Sequence, residues 1–389
     1  MNEAVRHLLL PGLLVLLGLL VALWGYTRLP QFGRTPDGDH LLDLHASSHY
    51  QDGAFVNQEP TDVLTKDAST LSVILSGILN KAPNLKPLHP LPVVKTDIKA
   101  LNPNEDLVIW LGHSSFYVQL AGRRILIDPV FSRDAAPMPY INTSFDSNYH
   151  YQAEDFPAID YLLITHDHWD HLDYPSIQAL KNQVDKVICG LGVGSHLRHW
   201  GYGAVQILEG DWFDTISAGK GLDIHVLPAR HFSGRLLTKN QTLWAGFALI
   251  SPHYKLFFSG DSGYGNHFSE IGRRFGGFDL VALDSGQYDA RWKDIHMNPD
   301  NAVRAAEDLQ ARALLPAHVA KFALANHAWD EPLTRMQTLT ARHDMRLLTP
   351  LMGQVIALAA PPVSTAWWQP SSSSDMPVTM TRHHLNPVE

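Results

Sequence analysis

The chain has 389 residues, of which 45% are hydrophobic and 18% are charged, and its formal net charge is −9 with histidine neutral. This length and hydrophobic content are enough for a large buried core, whereas a diffuse acidic charge argues against a nucleic-acid partner, which needs a concentrated basic surface. The single cysteine, Cys189, excludes a disulfide framework and a cysteine-based zinc cluster.

The first predicted element is an apolar segment from Leu8 to Tyr26, which contains no charged residue. Its length is close to the ~20 residues that a membrane-spanning helix needs. A cleaved signal peptide is the alternative, but it would have a shorter apolar region and a small-residue cleavage site, and we find no good site. We therefore predict a single-pass membrane anchor over residues 1–27 and a membrane location, with the side of the membrane undetermined.

The segment 28–104 is predicted to be an extension or linker, because proline is frequent and periodicity is scarce apart from one short helix near Ser69–Lys81. Beyond it, short apolar runs bounded by Gly, Pro, Asp and His predict a series of strands. These runs are Leu107–Leu111, Phe116–Leu120, Arg124–Asp128, Tyr161–Thr165, Lys186–Cys189, Val205–Leu208, Asp223–Pro228, Trp244–Ile250, Lys255–Ser259, Leu280–Leu283, Ala313–Pro316 and Gly353–Leu358.

Helices are predicted between some of these strands, most clearly after Asn298, where Pro299 takes the first helical position. Strands that first pair as hairpins and then alternate with helices favour an α+β fold, an αβ/βα sandwich, over residues 105–360. Residues 361–389 are rich in proline and serine and are predicted to form a disordered tail.

Four ligand-type side chains, His166, His168, Asp170 and His171, follow the predicted strand Tyr161–Thr165. Residues two apart in an extended segment point the same way, so His166 and His168 can bind one metal ion. If the chain then turns into a helix, Asp170 and His171 can face a second. Imidazole and carboxylate groups are typical zinc ligands. A solvated turn is the alternative, but the pattern favours a metal site.

Three later residues, His231, Asp261 and His318, each stand just past the C-terminal end of a predicted strand. Taken singly, each is equally well explained as a turn residue or a strand cap. Together with the four-residue pattern they predict a site for two metal ions.

The pattern, these three residues and the segment Trp110–Ser115 resemble the metallo-β-lactamase superfamily. A closer similarity, to the N-acyl-phosphatidylethanolamine-hydrolysing phospholipase D group, covers roughly residues 100–350 and includes these residues and segments: Asp128–Phe131, His171–Tyr174, Phe257–Tyr264, Glu270–Gly276, Tyr288–Trp292, His296, Pro299, Ala302–Arg304, His318 and Phe322–Ala325. The resemblance implies two zinc ions. The first would be bound by His166, His168 and His231, and the second by Asp170, His171 and His318. Asp261 would bridge the two ions.

Two segments depart from the phospholipase pattern, Leu283–Tyr288 and Val319–Lys321. Both should lie near the metals, so the metal chemistry is better determined than the substrate. Asp284 would repel an anionic phosphate if it faced the site, and Lys321 would offset that charge if the two side chains paired.

Two metal ions that share a hydroxide provide a nucleophile at neutral pH without a side-chain nucleophile. We predict that Asp261, as the shared ligand, and His296, which can contact substrate or protonate a leaving group, are catalytic. Asp167 is a candidate to orient a ligand imidazole, with a plain loop residue as the alternative. His113 is a candidate to lie near the site, with a turn histidine as the alternative. Other candidates, which would meet a phosphate, are Arg230, Arg235 and Lys321.

The leading function is therefore a zinc-dependent, membrane-anchored phosphodiesterase of phospholipase D type, acting on (N-acyl) phosphatidylethanolamine. The first alternative is a lactonase or another small ester or phosphate hydrolase on the same metals. The second is a non-catalytic, envelope-associated protein, against which the complete ligand set argues. The expected partners are a lipid or small-molecule substrate and the membrane, with a homodimer as a possible assembly and no nucleic acid.

Overall fold

The computed structural model describes residues 3–235 and 238–369, with side chains described from residue 11 onward. Its elements in chain order are α1 (Glu3–Tyr26), α2 (Gly38–Leu44), β1 (Tyr50–Gln51), β2 (Ala54–Phe55), α3 (Thr70–Leu79), β3 (Leu107–Trp110), β4 (Phe116–Leu120), β5 (Arg123–Ile127), β6 (Ile159–Ile164), α4 (Tyr174–Leu180), β7 (Val184–Gly190), α5 (Gly194–His199), β8 (Ile207–Gly210), β9 (Thr215–Gly219), β10 (Leu222–Leu227), β11 (Gly246–Ile250), β12 (Lys255–Phe258), α6 (His267–Phe275), β13 (Leu280–Asp284), α7 (Pro299–Asp308), β14 (Ala313–Ala317), α8 (Glu331–Thr340), β15 (Arg346–Leu347) and β16 (Val355–Ala357).

The prediction of an N-terminal transmembrane helix is wrong, and so is the membrane location that was based on it. Among the helices formed by the described residues, none combines the length and the apolar character needed to cross a membrane.

Two seven-stranded mixed sheets form the core of the fold. The order of strands is β16-β3-β4-β5-β6-β7-β8 in the first sheet and β15-β14-β13-β12-β11-β10-β9 in the second. Strands β5 to β8 run parallel, as do β12 to β15, while the remaining neighbours pair antiparallel. Each sheet therefore has one edge where the carboxyl ends of several parallel strands meet.

The sheets pack face to face, and helices cover their outer faces. Between the sheets, the rings of Phe116 and Phe258 lie 5.1 Å apart at their centroids. On the outer face of the first sheet, Ile177 of α4 and Leu197 of α5 join one apolar cluster, and Phe268 of α6 joins another on the second sheet. Strands covered on both faces read as continuous apolar runs, as β3 does, because every side chain is buried. The predicted αβ/βα sandwich is confirmed.

Each predicted strand overlaps an observed one, and the strands without a prediction are short or exposed. Strand β9 lies at the edge of the second sheet with most of its side chains at least partly exposed, so it lacks an apolar run. The predicted helices are present as α3, capped by Ser69, and α7, capped by Asn298.

The segment predicted to be a linker packs closely on the sandwich. Leu44, Phe55 and Ile98 are fully buried, although none of them lies in a long apolar run of the sequence. At the other end, Trp368 also packs into the core between the sheets. Residues 370–389 of the predicted tail lie outside the described residues.

Candidate metal centre

The residues that the sequence predicts as metal ligands lie together at one edge of the sandwich. His166 follows β6, His231 follows β10, Asp261 follows β12 and His318 follows β14. Because parallel strands present their carboxyl ends at the same edge of a sheet, side chains far apart in the sequence converge there.

One group consists of His166, His168, His231 and Asp261, whose ligand atoms all lie within 4.8 Å of one another. The His168 Nδ1 atom is 2.9 Å from His166 Nε2 and 3.2 Å from His231 Nε2. Oδ2 of Asp261 is 3.8 Å from Nε2 of His166 and 3.8 Å from Nε2 of His231. Three ring nitrogens and a carboxylate oxygen therefore point at one position.

A second group consists of Asp170, His171 and His318, joined by His113. Oδ2 of Asp170 is 3.6 Å from Nε2 of His171 and 3.2 Å from Nε2 of His318. Asp261 also reaches this group, since its Oδ1 lies 3.1 Å from Nε2 of His171. Oδ2 of Asp261 also lies 3.4 Å from Nε2 of His318, so this carboxylate contacts both groups and is placed to be shared between them.

Two buried atoms at the centre show that these residues fit metal ions. Nε2 of His171 and Oδ1 of Asp261 make no hydrogen bond, because the 3.1 Å contact between them is not aligned. A buried polar atom without a partner is costly, and a cation would satisfy both of these.

The electrostatics of the site also favour a cation. Burial, reinforced by neighbouring imidazoles, lowers the pKa of His166 well below its usual value, so the ring is neutral as a ligand must be. At His171 burial also disfavours charge, but the carboxylates of Asp261 and Asp170 outweigh it and raise the pKa well above the usual value. The same balance, with Asp261 and Asp284, raises the pKa of His318 to about 10. The carboxylates therefore attract positive charge, which bound metal ions would supply.

The second ring nitrogen of several ligand residues is held by a fixed partner. Nδ1 of His171 is 2.7 Å from Oδ2 of Asp128, which Thr165 also contacts. Nδ1 of His231 lies 3.0 Å from the carbonyl oxygen of Ile295. Such contacts select the tautomer and orientation of a ligand imidazole. From the sequence, Asp128 was noted only as part of the segment Asp128–Phe131 that resembles the phospholipase group. Its position directly after β5 is the signal that could have identified it as a site residue.

The other predicted site residues are placed differently. His113 contacts Asp170, with 2.8 Å between Nε2 and Oδ2, and so supports a ligand. Asp167 belongs to neither candidate ligand group and accepts hydrogen bonds from the backbone N–H of Gly234 and the hydroxyl of Thr242. The Arg230 side chain donates to the backbone of Pro60 and Tyr264.

Arg235 supports the ligand loop from behind instead of facing a substrate. Its guanidinium lies 3.9 Å from the ring centroid of Trp169, and Nη1 donates to the carbonyl oxygens of Asp167 and Leu172 at 2.8 Å each. Its Nη2 donates to the carbonyl oxygen of Gln31 at 2.8 Å. The ligand loop is thereby tied to the N-terminal extension, whose Phe32 packs edge-on against Trp169 at 5.3 Å.

Replacing Arg235 with alanine should therefore lower the free energy of unfolding by about 3 kcal/mol, because buried carbonyl oxygens lose their donor. Urea denaturation measures this change. Arg312→Ala is the matched control, since the Arg312 side chain is 83% exposed, and it should change the free energy by less than ~0.5 kcal/mol. Equal effects of the two substitutions would contradict the supporting role of Arg235.

A cavity of about 300 Å³ opens above the predicted ligand residues. Its floor carries ligand and site side chains from His168, Asp170, Asp261, His296 and His318. Its walls are largely apolar and come from the extension and from loops: Val63, Leu64, Val73, Phe232, Trp292, Ile295 and Leu324. A substrate bound here would meet cations at one end and hydrocarbon along its sides.

Comparison with known proteins agrees with this geometry. A family model described as a β-lactamase superfamily domain matches residues 123–319. An uncharacterized protein of Mycobacterium tuberculosis is 37% identical over 327 residues, which cover 83% of this chain and 88% of that protein. The N-acyl-phosphatidylethanolamine-hydrolyzing phospholipase D 1 of Caenorhabditis elegans is 31% identical over 268 residues, which cover 63% of this chain and 74% of that protein. The structure of a metallo hydrolase from Ignicoccus hospitalis shares the fold, with a TM-score of 0.51, 19% identity, and coverage of 64% of this chain and 97% of that chain.

Proposed function

The chain belongs to the metallo-β-lactamase superfamily and is a metal-dependent hydrolase, and we propose that it is a zinc-dependent phosphodiesterase of phospholipase D type. The proposed substrate is phosphatidylethanolamine or its N-acylated form. The observation that carries this proposal is the cavity, whose floor carries the proposed ligand side chains and whose walls are largely apolar. A phospholipid presents the matching pair of groups, an anionic phosphodiester and hydrocarbon chains.

We propose that His166, His168 and His231 hold one zinc ion, that Asp170, His171 and His318 hold the second, and that Asp261 is shared. When bound, two zinc ions supply hydroxide at neutral pH and stabilise the charge that develops on a phosphoryl group.

The protein supplies orientation and the exclusion of water. Apolar walls such as Trp292 and Phe232 hold the hydrocarbon part and keep water from the reacting bond. His296 lies at the floor of the cavity and can give a proton to the leaving oxygen.

The position of Asp284 removes one objection to an anionic substrate. Its carboxylate is fully buried and contacts His296 and His318, so it does not present its charge directly to the cavity. Lys321 does not pair with it, since the Lys321 ammonium donates to the carbonyl oxygen of Val130.

A lactonase or another small ester or phosphate hydrolase is the second candidate. The cavity volume, about 300 Å³, lies at the small end of the range for ligand pockets. A compact lactone or ester would fill it without extending beyond its mouth.

We expect the full-length, zinc-loaded chain to release phosphatidic acid from N-acylated or ordinary phosphatidylethanolamine, because the phosphodiester would be cut on its head-group side. Mass spectrometry of the lipid products tests this. Release of free fatty acid, or activity confined to lactones, would rule out the phospholipase D assignment and leave the metal site intact.

Two substitutions on α3 distinguish an effect on lipid binding from a general effect on the structure of the helix. Val73 lines the cavity, whereas Ile78 lies on the same helix with 65% of its surface exposed. Val73→Asp should raise KM for the lipid by about 10-fold, because it places a carboxylate in an apolar wall. Ile78→Asp should leave KM unchanged.

A further inference from the structure

Asp284 occupies a special position between two strands of the second sheet. It is the last residue of β13, and in the parallel register it lies beside Ala317, so the next residue of β14, His318, leaves the sheet next to it. The carboxylate is fully buried. It belongs to the segment Leu283–Tyr288, where the sequence departs from the phospholipase pattern.

The two oxygens of this carboxylate hold two different imidazoles. Oδ1 is 3.2 Å from Nδ1 of His318, and Oδ2 is 2.8 Å from Nδ1 of His296. The backbone N–H of Ser262, one residue after Asp261, donates to Oδ2 at 3.2 Å. The two rings stack with their centroids 5.0 Å apart and an angle of 16° between their planes. One buried group therefore fixes both ring orientations.

The contacts at Nδ1 determine where each Nε2 atom acts. Nε2 of His318 faces the proposed ligands Asp170 and Asp261, at 3.2 and 3.4 Å from their Oδ2 atoms. The His296 ring lines the cavity, so Nε2, opposite the nitrogen held by Asp284, is the atom left for the substrate. A carboxylate that accepts from Nδ1–H selects this tautomer.

We propose that Asp284 is a positioning residue that orients His318 as a ligand and His296 as the donor to the leaving group. The inference rests on the hydrolysis set out in the proposed function, but not on a lipid substrate. The bond from water oxygen to phosphorus, or to an acyl carbon, forms as the bond to the leaving oxygen breaks. In its donor form the His296 ring carries a proton on each nitrogen, with Nδ1–H held by Asp284. Nε2 gives its proton to the leaving oxygen, which leaves a neutral ring protonated on Nδ1, and the proton that water loses returns to Nε2, so the sum is one water consumed for one bond cleaved.

A direct test is the tautomer of His296 in the zinc-loaded chain, observed by NMR with ¹⁵N-labelled histidine. The His296 signals are assigned by their loss in His296→Gln. We expect the neutral form of the wild-type ring to carry its proton on Nδ1, where Asp284 accepts it, and in Asp284→Asn we expect that Nδ1–H signal to shift or disappear. A neutral wild-type ring with its proton on Nε2 would overturn the proposal without bearing on which substrate is hydrolysed.

The kinetic test is a series of aryl phosphodiesters and aryl esters with leaving phenols of increasing basicity. Asp284→Asn and His296→Gln should both lose about 100-fold in kcat for the most basic phenol and little for 4-nitrophenol, since a good leaving group needs no proton. The double variant should be no slower than His296→Gln alone, because the two residues act as a unit. Asp279→Asn, which changes a partly exposed carboxylate before the same strand, is the control and should not alter kcat.

Metal analysis of the same variants completes the test. We expect Asp284→Asn to keep the metal content of the wild type, because its carboxylate orients His318 without binding metal. Asp261, Asp284, His296 and His318 lie close enough to form a third cation group. Loss of one metal ion in Asp284→Asn, or an equal loss of kcat for every phenol, would overturn the positioning role. If Asp284→Asn does not fold, His296→Gln alone decides the matter through the same series.

Discussion

Asp261→Ala is expected to remove most of the bound metal and to lower kcat by at least about 100-fold. A loss of about 100-fold is the most that substitution of a residue supporting a metal ligand usually causes, and a ligand itself should have a larger effect. Asp261 is buried, and its carboxylate contacts both proposed groups of ligands, with Oδ2 3.8 Å from Nε2 of His166 and Oδ1 3.1 Å from Nε2 of His171. The substitution removes Oδ1, which lies 3.1 Å from Nε2 of His171, and Oδ2, which lies 3.4 Å from Nε2 of His318. The two groups then have no carboxylate in common. Elemental analysis after zinc-replete expression measures the metal, and any hydrolysed test ester measures kcat.

The control for this substitution is a histidine far from the centre. His343 lies at the surface, where its Nδ1 atom is 2.5 Å from Glu307. His343→Ala should change neither metal content nor kcat. A wild-type protein that holds no metal after zinc-replete expression, or an Asp261→Ala variant that keeps it, would refute the two-zinc proposal.

Asp128→Ala is expected to weaken metal affinity by about 10- to 100-fold and to lower the free energy of unfolding by about 3–5 kcal/mol. The Asp128 carboxylate is buried, with Oδ2 2.7 Å from Nδ1 of His171, and it accepts the backbone N–H of Thr165 at 2.8 Å. Its removal would leave His171 free to rotate and a buried N–H without an acceptor. Zinc titration against a chelator measures the affinity, and urea denaturation measures the stability.

A carboxylate in the same sheet serves as the comparison. Asp160 is paired with Arg123, and both side chains are partly exposed. Asp160→Ala should cost no more than ~1 kcal/mol, the usual contribution of an exposed ion pair, and should leave zinc affinity unchanged. Equal zinc affinities for Asp128→Ala and the wild type would show that Asp128 does not orient a ligand.

Several features were determined by the sequence alone, because they depend on residues close together in the chain. The spacing of His166 and His168 follows from the alternation of side chains in an extended segment. The runs of apolar residues predict strands because both sheets are covered on their two faces, so β3 and β13 show no polar alternation. His231 and His318 were recognised because each follows the end of such a run.

The tertiary structure alone decided the partners of those side chains. Asp284 is 34 residues from His318 and meets it because β13 and β14 pair in parallel with Asp284 beside Ala317. Arg235 was predicted to meet a phosphate, but it stacks on Trp169 and donates to Gln31, more than 200 residues earlier in the chain. The apolar N-terminal segment predicts a membrane span, but none of the described helices is long and apolar enough to cross a membrane. The local spacing of residues determines which side chains lie together at the end of one strand. The register between distant strands and the packing of the N-terminal extension determine which of these side chains contact one another. No pattern within a short window of sequence carries that second kind of information.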